Sequence, residues 1–430
     1  MEDERVITFK EVSFQYEKDE GQREESGIRD MAEMPLYERA GYVASVFQNP
    51  KSQFFNTDAE SEIVYGLENR GLLVEEIDRR LERTVKELHL EQLCTKSMFA
   101  LYGGEKQRIA FASAFITDAP VVVLDEPSAN LDAEAVRNIR GILEKIKRQG
   151  KTILIAEHRV AYLKGLADTV CFMEEGRIRR KYTAEEFYAF SDEKRRAMGL
   201  RCLMEEGGFP DSLLKRDVPK RETVLEIKDL TLAYKKQIVQ EHLLFRASAG
   251  EIVGITGRNG SGKTTFLRAV SGLAAVKCGS ILINGKKTGR RKRRKLCAMV
   301  MQDVNYQLFS DCVENECLLG NPGAAREKVK DILSEMGLSD CLMRHPQSLS
   351  GGQKQRLVMA AACVAQKQLL LLDEPTSGLD YRSMQAAGRA LKRLAQKGML
   401  ILVVTHDREF AETVCDRLFF LEKRREPADC

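Results

Sequence analysis

No stretch of this 430-residue sequence approaches the roughly 20 consecutive apolar residues that a helix needs to cross a bilayer. The opening segment MEDERVITFK is charged and lacks an apolar centre, which excludes a secretory signal peptide. Net charge is also small, at +4, so global electrostatics give no argument for a nucleic-acid or membrane-surface partner. The eleven cysteines stand singly, with no CxxC pair beside a histidine. Neither a disulfide framework nor a zinc site is indicated, and reduced thiols are expected. Cys312 and Cys317 come nearest to a pair; without further ligands at metal spacing they read as packing residues. What is present is a globular balance, 43% apolar and 31% charged, over a length that makes two domains the natural expectation.

The chain repeats itself. VVVLDEPSANLD at 121–132 returns as LLLLDEPTSGLD at 369–380, an offset of 248 residues. The same offset relates LYGGEKQR at 101–108 to LSGGQKQR at 349–356, and His158 to His406. Upstream the register changes. VFQNPKSQFF around Gln48 matches VMQDVNYQLF around Gln302 at an offset of 254, and Tyr16 in FQY matches Tyr234 in LAY at 218. The first copy is therefore 36 residues shorter between those landmarks. In the second copy that interval holds EIVGITGRNGSGKTTFLRAVSGL, an apolar strand, a glycine loop and the start of a helix. In the first it holds EKDEGQREESGIRDMAEMPLYERAG, with neither strand nor phosphate loop. Elsewhere both copies alternate short apolar strands with helical patterns, which implies an α/β fold with parallel strands. An incomplete domain is expected at 1–182, a helical appendage and linker at 183–222, and a complete domain at 223–430.

GRNGSGKT, Gly257–Thr264, satisfies GxxxxGK[ST] between a strand and a helical pattern, the context this motif requires. Gly257, Gly260 and Gly262 let backbone N–H groups converge on phosphate oxygens, with Arg258, Asn259, Ser261 and Thr265 completing the loop and helix start. Lys263 adds positive charge, and the Thr264 hydroxyl can hold Mg²⁺. LLLLDEP supplies a buried strand ending in two acids, so that Asp373 can reach the Mg²⁺ shell and Glu374 can polarise an attacking water. The expected cofactors are ATP and Mg²⁺.

With Tyr234, the GRNGSGKT loop, Gln302, LSGGQ, LLLLDEP, SGLD and His406 in this order, residues 224–430 resemble the ATP-binding cassette (ABC) superfamily. The resemblance implies two P-loop NTPase cassettes in tandem, the first incomplete. It implies that Tyr234 stacks on adenine, Gln302 senses Mg²⁺ and the lytic water, and Glu374 acts as catalytic base. His406 would contact the γ-phosphate, and Asp380 would communicate across a nucleotide sandwich. Physically the set suits phosphoryl transfer, with positive groups spread over the γ-phosphate and an oriented water in line.

A narrower resemblance, carried by VFQNPKSQFF and MQDVNYQLF, is to the energy-coupling factor (ECF) type of ABC ATPase. It implies that this stretch faces a transmembrane subunit, an ECF-type T component working with a substrate-binding membrane protein. Phe54, Phe55 and Phe309 would then be contact residues. It also implies a cytoplasmic protein held peripherally at the inner face of the membrane, energising uptake of a small solute.

Cassettes of this superfamily resemble head-to-tail dimers in which the phosphate loop of one and the LSGGQ segment of the other enclose ATP. Pairing within one chain would set the second copy's loop against LYGGE, where Gly103 and Gly104 supply backbone donors; pairing between two chains would restore two LSGGQ-completed sites. Tyr102 stands where the family has a serine whose hydroxyl bonds the γ-phosphate, which predicts slow turnover. The first copy retains Gln48, Asp125, Glu126 and His158 without a phosphate cradle, so no hydrolysis is expected there. Loss of a core strand predicts uncovered apolar faces and unpaired sheet edges. The basic run GRRKRRK at 289–295 reads as a solvated surface segment, and no nucleic-acid partner is expected. Two other readings remain open: a tandem cassette protein acting on ribosomes or DNA, and an ATP-binding remnant without a useful cycle.

Overall fold

In the complete copy, three strands are buried along their whole length because helices and a second sheet cover both of their faces. The computed structural model describes residues 34–422 apart from 102, 130, 175, 204–208, 210–212, 214–221, 235–236 and 322. Tyr16, Tyr102 and the Tyr234 side chain lie outside the described residues. Two compact units divide the chain: Met1–Ser128 with Ala135–Ser191, and Ala129–Glu134 with Asp192–Cys430. The division falls inside the expected appendage, so that helix Ala184–Tyr188 belongs to the first unit and helix Asp192–Ala197 to the second.

The first unit is built on a parallel sheet of β1 (Val43–Val46), β2 (Val121–Asp125) and β3 (Thr152–Ala156), in that order. A separate antiparallel ribbon pairs β4 (Thr169–Glu174) with β5 (Arg177–Thr183). Phe111, Leu124, Ile139 and Leu143 form fully buried core. Cover is uneven across the sheet, however. β3 alternates between exposed and half-buried residues, with Leu154 at 36% exposure, and the ribbon leaves Met173 and Ile178 exposed.

The second unit has two sheets. An antiparallel one runs β10 (Lys286–Lys287), β9 (Cys278–Ile283), β6 (Thr223–Tyr234), β7 (Gln237–Ser248). A parallel one runs β11 (Cys297–Val300), β12 (Leu369–Asp373), β13 (Leu400–Val404), β8 (Ile252–Thr256), β14 (Arg417–Phe420). Every residue of β8, β12 and β13 is buried. Their side chains alternate between two cores, as the period-two geometry of a strand demands. Leu370, Leu372, Ile401 and Val403 pack against helices Gly351–Val364, Tyr381–Gln396 and Arg408–Val414. Leu369, Leu371, Leu400 and Leu402 pack with Phe266 and Leu267 of helix Lys263–Ser271 and with the antiparallel sheet. No helix among the described residues is long and apolar enough to cross a membrane.

Cys312 and Cys317 are buried free thiols, Cys317 in the first of those cores, and burial pushes Cys317 up to about 12, in keeping with packing residues. The basic run is an exposed surface segment, as expected, except at Arg293. It forms helix Arg290–Leu296, in which Arg293 is buried, with Nε donating to the Ala269 carbonyl at 3.2 Å. Arg290 Nε donates to the Gly272 carbonyl at 3.3 Å, so two members of the run stitch down the end of helix Lys263–Ser271.

Candidate nucleotide site

β8 delivers the chain into the glycine loop at the carboxyl end of the parallel sheet, where ligands bind in open α/β sheets. Gly257 has φ of 150°, and a Cβ there would lie 2.2 Å from the Leu421 carbonyl oxygen, so only glycine fits. Gly262 caps helix Lys263–Ser271 from a left-handed φ of 93° and closes on Val239. Gln240 of β7 donates to the Ser261 carbonyl at 2.8 Å and fixes the loop from the side. Arg258, Asn259 and Gly260 are exposed at the tip, while Thr264 and Thr265 are half-buried in the first helical turn.

Lys263 is 8% exposed, and its ammonium donates to the carbonyls of Gly257 at 2.8 Å and Arg258 at 3.1 Å. Burial pulls its pKa down, while the nearby carboxylates of Glu374 and Asp373 act in the opposite sense. Asp373, 2% exposed, has its pKa raised by burial, opposed by a hydrogen bond from Thr264. The Ser261 hydroxyl is buried without a partner, an unmet donor inside a loop of converging amides. A triphosphate with Mg²⁺ fits these groups. Ser261, Lys263 and the loop amides face an anion, and the adjoining Thr264 and Asp373 offer hard oxygen ligands.

Glu374 follows Asp373 in a left-handed conformation, φ 52°, a strained geometry for a residue with a Cβ that re-aims its carboxylate off the strand. Its amide donates to the Val404 carbonyl at 3.0 Å, and its Oε2 accepts the His406 N–H at 3.3 Å. His406 Nε2 stands 3.6 Å from Glu374 Oε1. Asp380 caps helix Tyr381–Gln396 by accepting the Ser383 N–H at 2.7 Å. Gln302, just beyond β11, is exposed. Tyr234 ends β6 opposite Gln237.

The first unit holds a partial counterpart. Glu126 also has positive φ, 41°, and donates its amide to the Ala156 carbonyl at 2.9 Å. Its carboxylate is engaged on both oxygens: Gln48 Nε2 donates to Oε2 at 2.7 Å, and His158 Nε2 lies 3.1 Å from Oε1. Asp125 is exposed, unlike Asp373. Gly103 and Gly104 open helix Gly103–Ile116, as Gly351 and Gly352 open helix Gly351–Val364. Ser350 caps the latter in a reciprocal box with Gln353. Gln240 was not legible in the sequence, since a glutamine on a strand carries no signal.

Comparison with known proteins agrees with this geometry. A family model described as ABC transporter matches residues 9–129 and again 241–377. A Treponema denticola protein provisionally named an ABC transporter ATP-binding protein is 44% identical over 382 residues, 88% of this chain and 78% of its own length. A Bacillus subtilis protein provisionally named the HMP/thiamine import ATP-binding protein YkoD is 28% identical over 403 residues, 87% of this chain and 74% of its own. Among solved structures, one described as RNase-L Inhibitor is 25% identical with TM-score 0.60, over 88% of this chain and 71% of that one. A model of ribosome-bound archaeal Pelota and ABCE1 matches at 26% identity and TM-score 0.65, over 88% and 62%. The fold is thus α/β with two cassettes in tandem, and the chain belongs to the ABC transporter family of ATP-binding proteins.

Proposed function

We propose that this chain is the ATP-hydrolysing subunit that energises a membrane transporter of the energy-coupling factor type, held at the inner face of the membrane and serving uptake of a small solute. The observation that carries this reading is a pair of braced, aromatic-tipped loops. In the second unit, Gln307 accepts the Met301 N–H at 2.7 Å, and Glu316 Oε2 accepts the N–H groups of Phe309 and Ser310, each at 2.8 Å. Tyr306 is 71% and Phe309 75% exposed on this loop. In the first unit, Gln53 accepts the Phe47 N–H at 2.9 Å. Glu62 Oε2 accepts those of Phe55 and Asn56 at 2.9 and 2.7 Å. Phe55 is 72% exposed, while Phe54 is half-buried. Buried carboxylates that rigidify exposed aromatics make preorganised anchors for a partner. The partners proposed are an ECF-type T component and its substrate-binding membrane protein, and the membrane component sets the solute.

Hydrolysis is assigned to the second cassette. Bound Mg²⁺ supplies charge neutralisation on the phosphates and orients the γ-phosphoryl group. Lys263 Nζ adds charge to the same oxygens, and Thr264 and Asp373 offer ligands to the metal. Glu374 accepts the proton of the attacking water at its carboxylate, which the His406 N–H holds in place. The first cassette lacks a GxxxxGK[ST] sequence, so Glu126 has no phosphate before it. Tyr102 stands where the family resemblance has a serine whose hydroxyl bonds the γ-phosphate, so slow turnover is the proposal, and Tyr102→Ser is expected to raise steady-state ATPase activity.

The test is copurification of the tagged chain from detergent-solubilised membranes. Transmembrane subunits are retained by the parent and lost with Phe55→Asp and Phe309→Asp together. The names of the solved tandem-cassette relatives favour a second reading, action on ribosomes. Salt-sensitive sedimentation with ribosomes, and no membrane partner, would establish it.

A further inference from the structure

Residues 197–202, at and just after the end of helix Asp192–Ala197, carry no family motif, yet they are fastened to the two segments of the second cassette that flank its catalytic groups. The Gly199 carbonyl accepts the N–H of Tyr381 at 3.2 Å, one residue beyond Asp380. Arg382 Nη2 donates to the Ala197 carbonyl at 3.4 Å. Arg201 is 3% exposed and its guanidinium bonds Asp407, the residue after His406, and lies 3.5 Å from Glu409 Oε2. The Cys202 N–H donates to that same Glu409 oxygen at 3.4 Å.

Asp407 has two tasks here. Its Oδ1 caps helix Arg408–Val414 by accepting the Phe410 N–H at 3.1 Å, and its Oδ2 meets Arg201. Two carboxylates, Asp407 and Glu409, are withdrawn from water at this point, and the Arg201 guanidinium meets both. A forked cation holds such a pair in one geometry far better than a point charge does. The first copy has Arg159 where Asp407 stands and Ala161 where Glu409 stands, so it has no acceptors for such an anchor.

We infer that Arg201 is a positioning residue for ATP hydrolysis: through Asp407 it sets the placement of His406 against Glu374, and with the Gly199 carbonyl it ties the His406 segment to the Asp380 segment. The inference rests on the reading that Glu374 and His406 turn over ATP. Arg201 touches no reacting atom. Its effect falls on the chemical step and not on nucleotide capture, because Lys263 and the glycine loop are held independently by Gln240 and the Gly257 carbonyl.

The test compares the parent with Arg201→Ala and Arg201→Lys in the full chain, with two readouts. The first is kcat against the dissociation constant of a fluorescent ATP analogue. Arg201→Ala should lower kcat by about tenfold to a hundredfold, the cost of a misplaced catalytic group, and leave the dissociation constant within about twofold. Arg201→Lys should recover part of kcat. The second readout, amide hydrogen exchange, needs no turnover. In Arg201→Ala the amides of Tyr381 and Phe410 should exchange at least about tenfold faster, with helix 263–271 unchanged. An unchanged kcat overturns the inference, as does equal loss of kcat and binding, which marks a general structural role. A parent with no turnover at all defeats the functional reading instead, and unchanged exchange at Tyr381 and Phe410 then defeats this inference by itself.

Discussion

The two cassettes carry the same acidic strand end on very different sheets. In the second, β12 is flanked by β11 and β13, β13 is paired in turn to β8, and Asp373 is sunk to 2% exposure beside the glycine loop. In the first, β2 has the matching neighbours β1 and β3, but β3 pairs with no further strand among the described residues, and Asp125 is exposed. The difference teaches that the positive φ of the glutamate at the strand end does not depend on burial of the aspartate before it. Glu126 and Glu374 both adopt positive φ and both donate to the neighbouring strand's carbonyl, at 2.9 and 3.0 Å. What the second cassette adds among the described residues is a buried aspartate and the buried Lys263 beside the glycine loop. In the first copy Glu126 is engaged by Gln48 and His158.

The largest expected way to break the comparison is Lys263→Ala, which removes the lysine of a GxxxxGK[ST] motif that the first copy's sequence does not contain. ATPase activity should fall by at least about a thousandfold, the scale set by losing a preorganised charge at the transferring phosphoryl group. Isothermal titration with Mg-ATP should show binding weakened as well. The next effect is on stability, at matched positions 248 residues apart. Leu402 is fully buried and Leu154 is 36% exposed. Leu402→Ala should cost about 3 kcal/mol and Leu154→Ala about 1 kcal/mol in denaturant unfolding. Equal costs would mean that the first sheet is covered after all.

A smaller effect follows from the pH behaviour of Asp373. Burial raises its folded pKa above the ordinary 3.8, so the ionised carboxylate costs stability once the pH exceeds that value. The contribution is absent below 3.8 and grows as pH rises through the folded pKa. Asp373→Asn should therefore raise the unfolding midpoint of the nucleotide-free chain in EDTA at neutral pH, with no gain below pH 3.8. The same substitution should weaken the Mg²⁺ dependence of nucleotide binding.

Much of this site was legible in the sequence. The order of the glycine loop, the acidic strand end and His406 fixes which groups converge, because each sits at the end of a strand or the start of a helix in the parallel sheet. The two-sided burial of β8, β12 and β13 was written in their unbroken apolar runs. Other features were not legible. Arg293 reads as one more surface cation in a basic run, and only the fold reveals that it is buried against the Ala269 carbonyl. Arg201 and Gln240 act through partners far away in sequence, Asp407 and Ser261, and single residues of those types carry no local pattern. The splitting of the 183–222 stretch between two units was hidden for the same reason, since Phe187 and Arg201 are both buried but in different surroundings.

The most direct test of the central claim is steady-state ATPase activity of the full chain beside Glu374→Gln and Glu126→Gln. A single working centre predicts a loss on the order of a thousandfold for Glu374→Gln, the scale of a positioned general base, and a change of less than about twofold for Glu126→Gln. Comparable losses in both variants, or full activity in Glu374→Gln, would contradict the account.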